Sequence, residues 1–221
     1  MGDRRAKEHL FEQFAAVGKA LGNAKRLELL DLLAQGPRSV EVLAAAAGLG
    51  LSTCSANLQT LRQAGLVTTR REKTKIIYSL AGPDVAALYA TLRTVAQHHR
   101  AETERARVAY LGGTDLEQVP REELLRRAAA GDVVVLDVRP AEEYAAGHIP
   151  GAMSVPVEQL PARLAELPAE VEVVAYCRGA YCVLAHDAVR MLHQRGRTAR
   201  KLVDGMLEWQ LAGLPVDSGA A

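Results

Sequence analysis

The chain has 221 residues and a formal net charge of +1, and 49% of its residues are apolar. This length allows one large domain or two small ones, and three cysteines do not make a disulfide scaffold. No apolar run approaches the roughly 18 residues that span a bilayer, and the polar segment 1–7 does not resemble a signal peptide. We therefore expect a cytoplasmic protein with reduced thiols and no membrane contact.

The net charge hides an asymmetry between the two halves. Residues 1–110 contain 16 Lys and Arg against 10 Asp and Glu, whereas residues 111–221 contain 11 against 16. A basic half joined to an acidic half suggests that only the first faces nucleic acid. Ordinary scatter of charge is the alternative.

The first half predicts four helices in succession. Their apolar residues recur at helical spacing, and Asn23, Ser39 and Ser52 are candidate N-caps. The predicted spans are 4–21, 24–35, 40–47 and 53–64. Two β-rich pieces, 66–70 and 75–80, then flank a charged tip at 71–74. This order predicts a helix-turn-helix followed by a wing.

The fourth helix has two faces. Cys54, Leu58 and Leu61 form an apolar stripe that should face the core, where Cys54 fills space. Short polar side chains on the neighbouring stripe can read base edges, and basic residues of the wing can contact phosphates. A solvated polar face is the alternative. The candidate DNA-binding residues are Ser52, Thr53, Ser55, Asn57, Gln59, Arg70, Arg71, Lys73 and Lys75.

A long helix is predicted from Pro83 to about Tyr110. Val85, Leu88, Leu92 and Val95 recur along it as a seam for a partner helix, which predicts a homodimer. Two-fold symmetry would place two recognition helices about 34 Å apart on DNA. The linker follows at 111–114.

These residues resemble the ArsR/SmtB family of bacterial repressors over about residues 8–108. The matching pieces are 40–43, 58–67 and 78–80, and the resemblance implies a dimeric DNA-binding repressor. Members of that family often sense metals, but the ligand positions are incomplete here. Residues 42–46 of the third helix lack the C-x-C pair of thiolate-using members. In the long helix, Asp84 lacks a histidine two residues on, because position 86 is alanine. His98, His99 and Glu102 keep only half of a zinc set, and a solvated polar helix end is the favoured interpretation. No metal site and no cofactor are predicted.

The second half alternates helix and strand. A helix is predicted at 120–130, buried strands at 133–139 and 171–175, and a helix at 183–192. The loop 177–182 therefore joins a strand to a helix N-terminus, where backbone N–H groups and the helix dipole favour an anion. At this position we expect a reactive Cys177 with a lowered pKa, assisted by Arg178. A buried core cysteine is the alternative.

Four motifs in this half resemble the rhodanese family, over about residues 115–218. They are 137–139, 143–152, 177–182 and 205–209. The resemblance implies an α/β domain with a parallel sheet, in which Cys177 carries sulfur as a persulfide. The six-residue loop, Cys177, Arg178, Gly179, Ala180, Tyr181 and Cys182, resembles that of sulfur-transferring members rather than the longer loop of related phosphatases.

Cys182 stands where the family commonly has Ser or Thr. It either resolves a persulfide on Cys177 into a disulfide or polysulfide, or is a small buried residue. The sequence leaves both open.

We therefore predict a winged helix-turn-helix domain (1–110) followed by a rhodanese-like α/β domain (115–218). The predicted function is a DNA-binding repressor that senses reactive sulfur through Cys177. Its partners would be operator DNA, a second copy of the chain, and a donor such as a polysulfide, a persulfide or thiosulfate. The rival is a sulfurtransferase enzyme whose winged domain serves for dimerisation or tethering.

Overall fold

The computed structural model of the chain describes residues 3–113 and 116–219. The chain divides by contacts into two compact units, Met1–Thr91 and Leu92–Ala221. The division falls inside a helix rather than at the predicted linker, of which Thr114 lies outside the described residues. None of the helices described is long and apolar enough to cross a membrane.

The first unit is a winged helix-turn-helix. Its helices are α1 (Arg4–Leu21), α2 (Ala24–Leu33), α3 (Val40–Ala46), α4 (Leu51–Gln63) and the start of α5 (Pro83–His99). Its strands are β1 (Arg38–Ser39), β2 (Val67–Glu72) and β3 (Lys75–Leu80), in the antiparallel order β1-β3-β2. The predicted span of α1 and the predicted wing are confirmed.

Helix starts depend on their caps. Asn23 caps α2 as predicted, because its side-chain oxygen accepts a hydrogen bond from Arg26 N at 3.1 Å. The prediction that Ser52 caps the fourth helix is wrong, since α4 begins one residue earlier with Gly50 as its N-cap. Ser52 therefore lies within the first turn and is exposed.

The core of the first unit is built from leucine-rich faces of α2, α3 and α4. Leu29, Leu43, Leu58 and Leu61 are fully buried, and Cys54 is buried among them. Burial raises the pKa of the Cys54 thiol. Cys54 is thus a core residue rather than a reactive surface thiol.

Two apolar faces of the chain are exposed. Leu10, Phe11 and Phe14 of α1 are each more than half exposed, and Leu88, Leu92 and Val95 of α5 are also exposed. Val85, the first residue of the predicted seam, is instead buried in the core of the first unit. Exposed apolar clusters of this kind mark interaction surfaces.

The prediction of one continuous helix to Tyr110 is wrong. The helix breaks at Arg100, whose backbone is extended (φ −128°, ψ 103°), and α6 (Ala101–Leu111) follows. The break needs neither proline nor glycine, so the sequence carries no local signal for it. α6 ends at Gly112, which adopts the left-handed conformation (φ 76°) of a helix C-cap.

The second unit contains a parallel sheet covered on both faces. Its strands are β4 (Gln118–Val119), β5 (Val133–Asp137), β6 (Met153–Ser154), β7 (Glu172–Tyr176) and β8 (Ala199–Leu202), in the order β4-β8-β7-β5-β6. Its further helices are α7 (Arg121–Ala130), α8 (Ala141–Ala146), α9 (Leu160–Arg163), α10 (Val183–Gln194) and α11 (Met206–Leu211). The predicted α/β class with a parallel sheet is confirmed.

Alternation along β7 assigns its side chains to the two faces. Val173, Ala175 and Cys177 join the core beneath α10, whereas Val174 and Tyr176 join the core on the opposite face. Because side chains alternate with a period of two, Cys177 extends the row of buried residues on the α10 face. Cys177 is therefore positioned beneath the helix that follows the loop.

Candidate functional site

The loop 177–182 connects the end of β7 to α10, as predicted. Tyr176 is the last residue of β7, Cys182 is the N-cap of α10, and Val183 is its first residue. Cys182 N donates to Gly179 O at 3.1 Å, which closes the loop tightly. The loop thus lies at the carboxyl end of a central strand, where parallel α/β folds place their sites.

Cys177 differs from the sequence prediction. It is only 1% exposed, and its Sγ lies 3.4 Å from Cys182 O. Burial, a hydrogen bond to the Cys182 side chain and the Cys182 charge raise the pKa of the Cys177 thiol well above its ordinary value, although the Ala185 N–H and Lys201 oppose this. The prediction of a lowered pKa for Cys177 is therefore wrong, because burial outweighs the loop N–H groups.

Cys182 has the opposite shift. A hydrogen bond from the Cys177 thiol lowers the pKa of Cys182, and the backbone N–H groups of Arg178 and Leu184 and the Arg178 charge add to this against the cost of burial. The two shifts have opposite directions, so within this coupled pair Cys182 loses its proton more readily than Cys177. Cys182 is also the more exposed sulfur of the pair.

Arg178 is held by a buried carboxylate that the sequence did not reveal. Its Nη2 lies 2.6 Å from Glu143 Oε1, its Nε lies 3.0 Å from both Glu143 oxygens, and Glu143 is 1% exposed. Behind it, Arg139 and Asp137 form a fully buried pair at 2.6 Å. Bidentate pairing fixes the Arg178 guanidinium, so its charge acts on the loop from a defined position.

Gly205 allows α11 to abut the cysteine loop. A Cβ at this position would lie 2.3 Å from Gly179 N and 2.6 Å from Cys177 O. Met206 N and Leu207 N donate to Cys177 O and Arg178 O at 2.9 and 3.0 Å. Only glycine permits this approach, which explains the glycine that begins the motif 205–209.

Residues at the end of α5 contact the cysteine loop, and they were not predicted. Arg93 lies over the Tyr181 ring at 4.5 Å and pairs with Glu208 at 3.1 Å. The Tyr181 hydroxyl donates to Gln97 Oε1 at 2.5 Å. The i, i+4 spacing of Arg93 and Gln97 puts both on one helix face, which is the signal in the sequence. We call these four residues, Arg93, Gln97, Tyr181 and Glu208, the loop clasp.

His186 and Lys201 also lie beside the loop and were not assigned a role from sequence. Both are buried, at 3% and 2% exposure. Burial lowers the pKa of Lys201, against which the charges of Cys177, Glu208 and Cys182 act. Lys201 is therefore electrostatically linked to both sulfur atoms.

The candidate nucleic-acid interface lies in the first unit. In α4, Ser52, Thr53, Ser55 and Gln59 are exposed, and Asn57 is half-buried with its amide donating to Thr53 O at 2.9 Å. The wing residues Arg70, Arg71, Lys73 and Lys75 are all exposed. Arg70 pairs with Glu72 at 2.6 Å, and Arg71 Nε donates to Lys73 O at 3.1 Å. The polar residues thus lie opposite the buried stripe; DNA contact by them remains a prediction.

Within residues 3–113 and 116–219, no group of three or more His, Cys, Asp or Glu is arranged to hold a metal ion. His98 and His99 lie edge to face at 6.4 Å and are exposed. Among the described residues, no carboxylate pairs with either ring.

Family models match both halves of the chain. A helix-turn-helix domain model matches residues 21–70, and a rhodanese-like domain model matches residues 120–212. The HTH-type transcriptional regulator Rv0324 of Mycobacterium tuberculosis is 54% identical over 219 residues, which are 99% of this chain and 96% of that protein. The chain belongs to this family of helix-turn-helix transcriptional regulators.

Partial relatives match one half of the regulator each. A sulfurtransferase of Allochromatium vinosum is 34% identical over 101 residues, covering 45% of the regulator and 92% of that protein. A solved winged helix-turn-helix DNA-binding domain from Mycobacterium bovis, described as homodimeric and possibly of the ArsR family, is 52% identical. The match covers 46% of the regulator and 93% of the solved chain, with a TM-score of 0.43.

Proposed function

We propose that this regulator is a homodimeric repressor whose rhodanese-like domain senses sulfane sulfur through a persulfide on Cys177. The observation that carries the proposal is the loop clasp. α5 begins in the first unit, and its residues Arg93 and Gln97 contact Tyr181 of the cysteine loop. α5 thus starts in the first unit, and its later residues, which belong to the second unit, contact the loop that carries the thiol pair.

Exposed apolar faces support the homodimer. Phe11 and Phe14 of α1 and Leu92 and Val95 of α5 lie on the surface of one chain. A second copy would bury them and present two α4 helices to successive major grooves. Operator DNA is then the partner of α4 and the wing, which agrees with the cytoplasmic location expected from sequence.

Loading of sulfur onto Cys177 follows from ordinary exchange between a thiol and an S–S bond. The Cys177 thiol gives its proton to the Cys182 thiolate, and the Cys177 sulfur attacks the outer sulfur of a donor R–S–SH. A new S–S bond forms on Cys177, the donor S–S bond breaks, and R–S⁻ leaves. No electrons are gained or lost overall.

A second step is available to the pair. After Cys182 passes its proton to the departing R–S⁻, the Cys182 thiolate can attack the inner sulfur of the Cys177 persulfide, forming a Cys177–Cys182 disulfide and releasing HS⁻. In the other interpretation Cys182 only holds the proton and the persulfide persists. Mass spectrometry of the loaded protein distinguishes a gain of one sulfur from a loss of two hydrogens.

The persulfide perturbs a packed loop. Cys177 is 1% exposed, so an added sulfur atom requires the loop to shift. Tyr181 would move with the loop and alter its contacts with Arg93 and Gln97. Couplings between two sites are typically about 1–3 kcal/mol, or roughly 5–150-fold in affinity. We propose that loading lowers operator affinity.

The rival function is that of a sulfurtransferase enzyme. The similarity of the second half to the Allochromatium vinosum sulfurtransferase favours it. In that case the persulfide is an intermediate that is passed on to an acceptor, and the winged domain serves to dimerise or tether the enzyme.

A comparison of catalytic turnover with stoichiometric sulfur uptake distinguishes the sensor from the enzyme. A sensor is expected to take up one sulfur per chain from a glutathione persulfide donor, with negligible thiosulfate:cyanide turnover, and Cys177→Ser should abolish uptake. Fast multiple turnover with no change in DNA binding would contradict the sensor and support the enzyme. Cys54→Ala is the matched control, since it removes a buried thiol of the first unit and keeps both cysteines of the loop.

A further inference from the structure

A polar cleft of about 400 Å³ opens beside the cysteine loop, and all of its lining residues belong to the unit Leu92–Ala221. Ala180 and Tyr181 of the loop form part of one wall. Arg107 and Glu104 of α6, Lys201 of β8 and His186 of α10 contribute its titratable groups. This volume lies in the range of sites for small organic ligands.

His186 is the sharpest sign that the cleft is a site. The residue is 3% exposed, and no described residue provides its Nδ1 with a hydrogen bond. A buried imidazole nitrogen without a partner is costly, and such groups are normally satisfied by protein, water or ligand. Burial and the charges of Lys201, Arg190 and Arg107 lower the pKa of His186 to about 4. The imidazole is thus neutral and surrounded by positive charge.

Lys201 adds a donor to the same cleft. Its Nζ donates to Leu202 O at 3.0 Å and Val203 O at 3.3 Å. An ammonium carries three N–H protons, so within the described residues one remains for a ligand. The positive charge of Lys201 is buried, where an anion would compensate it more strongly than in water.

Arg107 and Glu104 give the cleft a mixed charge. Arg107 binds Glu104 through two hydrogen bonds of 2.6 and 2.8 Å, and the Arg107 side chain is 19% exposed. Two cations and one carboxylate suit a ligand that has a carboxylate and also an ammonium group. An inorganic anion would use the cations but leave Glu104 and most of the volume unoccupied.

We propose that this cleft binds a low-molecular-weight persulfide bearing a carboxylate, of amino-acid or short-peptide type, and holds it beside Cys177 and Cys182. The inference rests on the proposed function, because the bound molecule is the donor in the exchange described above. The donor carboxylate binds Lys201 and Arg107, and His186 Nδ1 completes the polar contacts. The bond that breaks is the donor S–S bond, and the parent thiolate leaves through the cleft.

Binding can be tested without sulfur exchange in the double variant Cys177→Ser/Cys182→Ser. The probes are cysteine, its decarboxylated analogue cysteamine, and thiosulfate, and the readout is the ¹⁵N signal of the His186 ring, assigned by comparison with His186→Gln. Cysteine is expected to shift this signal in a saturable way, with at least tenfold tighter binding than cysteamine. Equal binding of cysteine and cysteamine would overturn recognition of the carboxylate, and tighter binding of thiosulfate would overturn the organic donor.

Two variants and a control test which side chains bind the carboxylate of the ligand. Lys201→Met keeps the apolar stem in its buried position, and Arg107→Met alters a partly exposed residue that should not impair folding. Each is expected to weaken cysteine binding at least tenfold, whereas Arg105→Met, which removes an exposed α6 arginine paired with Glu102, should leave it unchanged. Unchanged binding in Arg107→Met would overturn the proposal even if Lys201→Met fails to fold.

The experiments distinguish a wrong assignment of the cleft from a wrong proposal of the sensor function. If wild-type protein takes sulfur from cysteine persulfide but no probe shifts the His186 signal, the cleft assignment is wrong and the sensor stands. If cysteine binds the cleft but the wild type takes up no sulfur, the cleft remains a binding site and its role as a donor site is wrong.

Discussion

Gly205→Ala tests the packing of α11 against the cysteine loop. The added methyl carbon would lie 2.3 Å from Gly179 N, 2.4 Å from Gly179 Cα and 2.6 Å from Cys177 O, whereas ordinary contacts begin at 3.4 Å. The loop and the start of α11 must therefore separate by roughly 1 Å. This separation stretches the bonds from Met206 N and Leu207 N to the loop carbonyls.

The cost can be worked from these contacts. Overpacking in a rigid core costs about 1–3 kcal/mol, and a weakened backbone hydrogen bond adds about 1 kcal/mol. The expected loss is about 2–4 kcal/mol of unfolding free energy. For a domain of about 100 residues, each kcal/mol lowers Tm by about 4–8 °C, so we expect a fall of about 8–32 °C.

Calorimetry of the full chain measures the effect, together with the rate at which iodoacetamide labels Cys177. Labelling should accelerate in Gly205→Ala because the loop opens. Gly18→Ala is the control, since Gly18 is helical and no described neighbouring atom lies within 4 Å of its Cβ position. It should stabilise by about 0.5–1 kcal/mol. A Tm within about 2 °C of wild type in Gly205→Ala, with unchanged labelling, would refute the close approach.

Further predictions follow from charged and titratable groups. At pH 7 iodoacetamide should label Cys182 before Cys177, because the pKa of Cys182 is lowered and that of Cys177 is raised; faster labelling of Cys177 in peptide maps would contradict this. Replacing Arg70 and Arg71 with Ala should flatten the salt dependence of DNA binding by about 2 units of slope per protomer, an effect that Arg126→Ala should not produce. Because burial lowers the pKa of His186 from 6.5 to about 4, the unfolded chain binds a proton first, and stability should fall as the pH drops from about 6.5 towards 4; His186→Gln should lose that slope in urea titrations.

Local signals in the sequence were enough for much of the fold. Helical spacing predicted the bounds of α1, and the N-cap residue Asn23 predicted the start of α2. The β-branched run before Cys177 predicted the strand, and the six-residue loop and α10 followed from it. These features depend on neighbours in the chain, which is why the sequence reveals them.

Features that depend on distant residues were missed. The pKa of Cys177 was predicted in the wrong direction, since its burial beneath α10 and its hydrogen bond to the Cys182 side chain depend on the folded loop. Glu143 binds Arg178 across 35 residues, and Gln97 binds Tyr181 across 84. Nothing in the composition around Arg100 signalled the break between α5 and α6.

The loop clasp joins the cysteine loop to the later part of α5, the helix that starts in the first unit, and we propose that loading acts through it. Arg93 pairs with Glu208 and lies over Tyr181, with side-chain exposures of 14% and 22% for the ion pair. A cation–π contact contributes about 0.5–2 kcal/mol. Loss of such contacts is comparable to the 1–3 kcal/mol of a typical allosteric coupling.

The most direct test is a titration at fixed salt of a DNA fragment selected for binding from a random library. Wild type, Cys177→Ser and Arg93→Met are each measured in the reduced state and after treatment with glutathione persulfide. We predict that treatment weakens wild-type binding about 5–150-fold, leaves Cys177→Ser unchanged, and has at most a fraction of this effect on Arg93→Met. Equal affinities of reduced and treated wild type, with mass spectrometry confirming sulfur on Cys177, would contradict the sensor.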